Sequence, residues 1–190
     1  MVDTIATKLS SAVSRLSALA TARRLARRED GAAAVEFALV AAPFLALLFA
    51  IIETALIFFA NQTLETTVAD ASRLIMTGQA QNQSFDQTKF QNAVCARVST
   101  LFNCSSIMVD VRTYTNFSST NTSMPIDQNG NLQNNFTYQP GTAGDIVVVR
   151  LMYQWPVYVS LLGLSKSLSN MSNGQDLMMA TAAFRNEPYQ

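Results

Sequence analysis

A glycine, a run of small residues and a carboxylate stand together at Gly31-Ala32-Ala33-Ala34-Val35-Glu36-Phe37, just after the charged pair Glu29-Asp30 and just before a long apolar stretch. An acid at the edge of lipid is expensive and needs a reason. One reason is hydrolysis of the peptide bond after Gly31. That cut would create an α-ammonium on Ala32, four positions before Glu36, and one helical turn brings such positions to the same face. The ammonium of a neighbouring copy would serve equally and would set the register of one helix against another. The plainer reading makes Gly31 a flexible joint and puts Glu36 at headgroup level, where a carboxylate near a helix N-terminus is mildly favourable. A second acid, Glu53, lies deep in the apolar stretch, beyond Pro43. The two carboxylates are expected to line one assembly seam. The alternative has Glu53 snorkel to the outer interface and touch no partner.

Two cysteines, Cys95 and Cys104, are spaced for a small disulfide-closed loop if the segment reaches an oxidising compartment. Without further cysteine or histidine they make a poor metal site, and no cofactor is implied. The chain has no histidine, which removes Ser-His-Asp and Cys-His catalysis. No nucleophile–base pair stands out, so no enzyme is expected. Formal charge balances at 13 basic and 13 acidic side chains, but unevenly. Lys8, Arg15, Arg23, Arg24, Arg27 and Arg28 crowd into residues 1–31 against Asp3, Glu29 and Asp30. The remainder is mildly acidic, unlike the basic folded face of a nucleic-acid binder.

These groups need elements to position them. Residues 1–31 read as a basic leader, with Ile5, Leu9, Val13, Leu16 and Leu19 at roughly helical spacing. A basic amphipathic helix lying on anionic lipid is the alternative for residues 4–20. The arginine cluster beside an apolar run keeps the N-terminus cytoplasmic by the positive-inside rule. Residues 37–60 form the membrane span; at about 1.5 Å per residue they rise roughly 36 Å, and Pro43 is expected to weaken or kink the helix. Residues 61–95 continue at first as an amphipathic helix with Leu64, Val68, Ala71, Leu74 and Ile75 on one face, running out near Gly78. Residues 79–84 read as a polar break, and residues 86–101 as a second short helix.

Alternation over 107–114 and the run 145–155 predict strands, with 176–185 returning antiparallel. Residues 116–144 are polar, with Asn129-Gly130 as a turn signal; Asp127 opens a run that only faintly resembles a calcium loop. Residues 157–164 are a short apolar element. Tyr153, Trp155 and Tyr158 are expected in the core, the alternative being that they face the membrane interface. Arg73 is expected at a helix–lipid boundary or in a structural role, and Arg185 and Glu187 as an exposed, minor pair. The fold class is α+β: a long N-terminal transmembrane helix continuing into a small exported domain with an antiparallel sheet. Its parts are leader 1–31, hydrophobic helix 32–60, helical stem with the cysteine loop 61–104, and β-rich domain 105–190.

Gly31-Ala-Ala-Ala-Val-Glu-Phe-Ala-Leu-Val-Ala-Ala-Pro43, with Ile51-Ile-Glu53 and Ala71-Ser-Arg73 after it, resembles the TadE-like family of pseudopilins from the Tad (Flp, type IVb) pilus system. The ending Ala-Thr-Ala-Ala-Phe-Arg185-Asn-Glu187-Pro-Tyr189 is similar to that family's. TadG-like relatives share parts of the pattern. The resemblance implies an aspartic prepilin peptidase cutting between Gly31 and Ala32, a mature chain starting at Ala32, and Glu36 serving processing or registration. It implies other pilus subunits and inner-membrane lipid as partners, a C-terminal domain in the periplasm or associated with the pilus, and a system-level role in adhesion and biofilm formation. Phe37 departs from the tyrosine frequent after this glutamate in major pilins, and the exported domain is far larger than theirs. Both favour a minor pseudopilin. The other reading is an uncleaved, membrane-anchored periplasmic binding or scaffold protein.

Overall fold

A computed structural model describes residues 31–158 and 168–188. The leader expected over residues 1–30 and most of the apolar element expected over 157–164 lie outside the described residues. A single helix, α1, runs from Ala32 to Met76 and passes through Pro43 without a break in its assignment. It stops where Thr77 and Gly78 fold back, their N–H groups donating to Arg73 O and Ile75 O. Gly78 takes a left-handed φ of 76°, which a glycine adopts without steric cost. The polar stretch that follows is not a plain break: Gln79–Asn82 form one helical turn, α2, which buries Ala80. Packing divides the chain after Leu48, and the elements below belong to the unit from Phe49 onward.

Helix α3, Gln87–Val98, starts on Asp86, whose carboxylate accepts the Lys89 N–H at 2.7 Å as an N-cap. It ends short of the expected residue 101, in a turn leading to a 3-10 element at Cys104–Ser106. Cys95 and Cys104 are joined as a disulfide, with Cα atoms 5.4 Å apart. Gln91 Nε2 donates to Ile107 O and Cys104 O, and Gln87 Nε2 to Val109 O, so one face of α3 holds the chain entering the sheet. Loop-closure entropy for so short a ring is about 2.5 kcal/mol. The paired Cys95→Ser, Cys104→Ser variant should lose about that much stability in a denaturant titration of the full chain in detergent.

Three strands complete the fold: β1 Met108–Tyr114, β2 Ile146–Trp155 and β3 Asp176–Arg185, in sheet order β1-β2-β3. Both pairings are antiparallel, with Asp110 opposite Arg150 and Leu151 opposite Ala180. Alternation sorts the side chains onto two faces. Val109, Val111, Val147, Val149, Leu151 and Ala180 pack against α1 and α3 in the main core. On the other face, Met152 and Leu177 form a second cluster with Met108, Ile126, Leu132 and Phe136. The long polar connection between β1 and β2 therefore covers the sheet with its few apolar side chains. Its Asp127-Gly130 segment is a turn: Asp127 accepts the Asn129 and Asn131 N–H groups at 2.8 Å, and these hold its carboxyl below the usual range. Asp110 and Arg150 are buried under this connection, Asp110 accepting from Arg150, Arg112 and the Thr137 N–H.

Tyr138 reaches the edge of β1, where Val111 N–H donates to Thr137 O and Gln139 N–H to Val111 O. Its ring meets Phe90 at 5.5 Å. Burial, with the Asp86 charge second, pushes its hydroxyl up to about 12, and that oxygen has no hydrogen-bond partner among the described residues. An unfolded tyrosine ionises near 10, so stability should fall as pH rises through that window, because the unfolded chain loses its proton first. Tyr138→Phe should gain about 1 kcal/mol at neutral pH and flatten the alkaline fall, read by melts between pH 8 and pH 12.

Phe102 packs edge-on against Tyr153 at 4.9 Å and Trp155 at 6.0 Å, at the periphery of the main core. Tyr158 does not join them and is 79% exposed. Arg185 and Glu187 form no ion pair among the described residues. Instead Arg185 Nε donates to Gly144 O, and the Glu187 N–H to Met76 O at the end of α1. Between them Asn186 is buried, its Nδ2 donating to Pro140 O and Thr142 O. The ending thus ties β3 to the helix and to the loop before β2.

Candidate membrane and assembly surface

Alanine, leucine and phenylalanine dominate the start of α1, and the helix forms without an acid in its first turn. Its most apolar 18-residue window has mean hydropathy 2.5, and none of that window is buried within the chain. Val35, Phe37, Val40, Phe44 and Leu47 all stand open. So large an apolar surface on a helix long enough to cross a bilayer marks a membrane anchor. Pro43 lies in the midst of this surface.

Gly31 precedes the first residue of α1 and is exposed. A Cβ added there would meet nothing within 4 Å, and its backbone does not take the left-handed φ found at Gly78 and Gly130. Packing and backbone geometry among the described residues therefore do not require glycine at this position. Glu36 is exposed on the next turn, and Phe37 beside it is 74% exposed. Ala32 and Glu36, four apart in a helix, share a face.

Glu53 has a different setting. It is 6% exposed and accepts a hydrogen bond from the Tyr158 N–H. It sits on a stripe of covered positions, Ala50, Glu53, Ile57, Ala60, Leu64 and Val68, spaced by threes and fours. Ile57, Ala60 and Leu64 belong to the main core. Within the expected span 37–60, Ala50, Glu53, Ile57 and Ala60 are covered, the last two by the main core, while Ile52, Leu56, Phe58 and Phe59 remain exposed. Hydropathy does not separate burial in protein from burial in lipid. The seam shared by Glu36 and Glu53 also needs revision. Seventeen positions at about 100° each leave two side chains about 100° apart around an ideal helix, not on one stripe. Glu36 is exposed and Glu53 is engaged within its own chain.

Sequence reasoning missed three features of this surface and its support. The Glu53–Tyr158 contact joins residues 105 positions apart. The domain's cover over Ala50 to Ala60 was readable, had the stripe through Leu64 and Val68 been traced backward. The Asp110–Arg150 pair was signalled by Asp110 and Arg112 in β1 and by the lone charge, Arg150, in the apolar run of β2. No group of histidine, cysteine, aspartate or glutamate able to hold a metal occurs among the described residues.

Residues 31–73 match the family model described as TadE-like protein. The match covers Gly31, Glu36, Pro43, Glu53 and Arg73. No curated protein and no solved structure matches the chain.

Proposed function

We propose, from the TadE-like match, that the chain is a minor pseudopilin taking part in assembly of a Tad (Flp, type IVb) pilus used in adhesion and biofilm formation. The single observation that carries this reading is the exposed apolar start of α1, joined without interruption to a helix half that the domain clasps. Such a helix inserts in lipid and can later pack against the helices of other subunits. Placed with the arginine-rich end in the cytosol, Gly31 and Glu36 meet the cytoplasmic face of the inner membrane and the domain stands in the periplasm. An ideal helix rises about 37 Å over the twenty-five positions from Glu36 to Asn61, between the roughly 30 Å of hydrocarbon and the 40–45 Å of a whole bilayer. Glu36 then lies at headgroup level.

The prepilin peptidase cuts after Gly31 and leaves the Ala32 ammonium beside Glu36 of its own or a neighbouring helix. Co-purification tests the assembly role. Tagged chain extracted in mild detergent should bring down other pilus subunits, and Glu36→Leu should reduce that yield while leaving insertion intact. A chain that keeps its leader and pulls down no pilus subunit would favour the uncleaved, membrane-anchored binding or scaffold protein.

A further inference from the structure

The three residues after β2 bring the chain to α1. Trp155 ends β2, and three residues later the Tyr158 N–H reaches the Glu53 carboxylate. The polar part of α1 begins only at Asn61, with Gln62 and Thr63 after it. Eight positions separate Asn61 from Glu53, a rise of about 12 Å. Around that level the uncovered face of α1 carries Ile52, Leu56, Phe58 and Phe59, all exposed. Tyr158 is itself 79% exposed, on a backbone fixed at the level of Glu53. A tyrosine held open beside exposed apolar side chains suits a lipid contact: its ring is buried among acyl chains, and its polar tip can reach toward the headgroups.

We infer that Tyr158 is a lipid contact of the C-terminal domain, seated within the adjacent leaflet at the depth of Glu53. The partner is the acyl-chain region of the bilayer that α1 crosses, and the inference rests on that membrane reading. Glu53 is then a positioning residue. It receives a backbone N–H that would otherwise face hydrocarbon unsatisfied. The domain therefore grips the membrane surface by a second point besides its helix, which fixes its tilt over the bilayer.

Trp155 is the chain's one tryptophan, so fluorescence can report a single site. In a Trp155→Phe background, which keeps an aromatic ring on Phe102, tryptophan is placed by Tyr158→Trp in one protein and by Leu56→Trp in another. Each full-length chain is reconstituted into phosphatidylcholine–phosphatidylglycerol vesicles with and without brominated acyl chains. The Tyr158→Trp protein should lose as much emission to the brominated lipid as the Leu56→Trp protein, with a blue-shifted maximum and little quenching by aqueous iodide. Adding Glu53→Leu should lower bromolipid quenching of the Tyr158→Trp protein and leave that of the Leu56→Trp protein unchanged. Glu53→Gln, which keeps an acceptor, should restore it. Strong quenching of the Leu56→Trp protein with none of the Tyr158→Trp protein would overturn the inference while leaving the membrane helix in place. Absence of quenching in both proteins would overturn the membrane reading itself. Should the Trp155→Phe background fail to fold, a spin label on Tyr158→Cys in the otherwise native chain reads the same depth, by relaxation from oxygen against a water-soluble nickel chelate. Dominant relaxation by nickel would contradict the inference.

Discussion

Replacing Gly31 with leucine should leave the chain uncut in cells that carry the prepilin peptidase, with processing falling from nearly complete to undetectable. Among the described residues, a side chain at this position would meet no neighbour within 4 Å, and the backbone takes no left-handed φ. Gly31→Leu should therefore fold and insert like the parent. A glycine that neither packing nor geometry requires points to recognition by another molecule, and a protease that binds an extended segment has room for a hydrogen where a branched side chain would clash. Intact-mass measurement of the membrane protein should find Ala32 as the first residue of the parent and the full leader on the variant. Glu36→Leu should separate two roles: a cut chain that no longer joins its partners assigns Glu36 to registration, and an uncut one assigns it to processing.

The second large effect concerns the charges under the β1–β2 connection. Asp110 is fully buried and Arg150 nearly so, facing each other across the β1–β2 pair. Asp110 accepts from Arg150 Nε at 3.0 Å, from Arg112 Nε at 3.0 Å and from the Thr137 N–H at 2.9 Å. Arg150 also donates to Ser123 O, and Arg112 to Asn135 O. One carboxylate thus fastens two strands to the loop that covers them. Asp110→Ala would leave the Arg150 cation buried without its counter-ion, a loss of about 3–5 kcal/mol. Against a typical total of about 5–15 kcal/mol, that should melt the domain or empty the membrane of it. Far-UV circular dichroism of the full chain in detergent should show the loss. Asp110→Leu combined with Arg150→Met should recover part of it, since replacing both charges removes the uncompensated one.

Much of this architecture was legible before any coordinates. Long apolar content announced α1, Gly78 marked its end, and alternation located β1 and an apolar run β2, each to within a residue. These signals are local, because hydropathy and periodicity depend on neighbours in the chain. What stayed hidden depends on distant neighbours. The 116–144 stretch looked like plain loop because Ile126, Leu132 and Phe136 follow no period, yet together they cover the outer face of the sheet. Glu53 looked like a lone intramembrane acid because one of its contacts is the backbone N–H of Tyr158, and no side-chain pattern encodes such a contact. Tyr158 resembled Tyr153 and Trp155 in type, yet it lies past the end of β2 and stays open. At the candidate site, residue types identified Gly31, Glu36 and Glu53, while only the fold separated the exposed carboxylate from the covered one.

Topology in intact cells tests the central claim most directly. A reporter that is active only outside the cytosol is fused after Gln190, and membranes from the same cells are washed with alkaline carbonate. The account predicts an active reporter and a chain that stays with the membrane pellet. An inactive reporter, or an untruncated chain released into the wash, would contradict it.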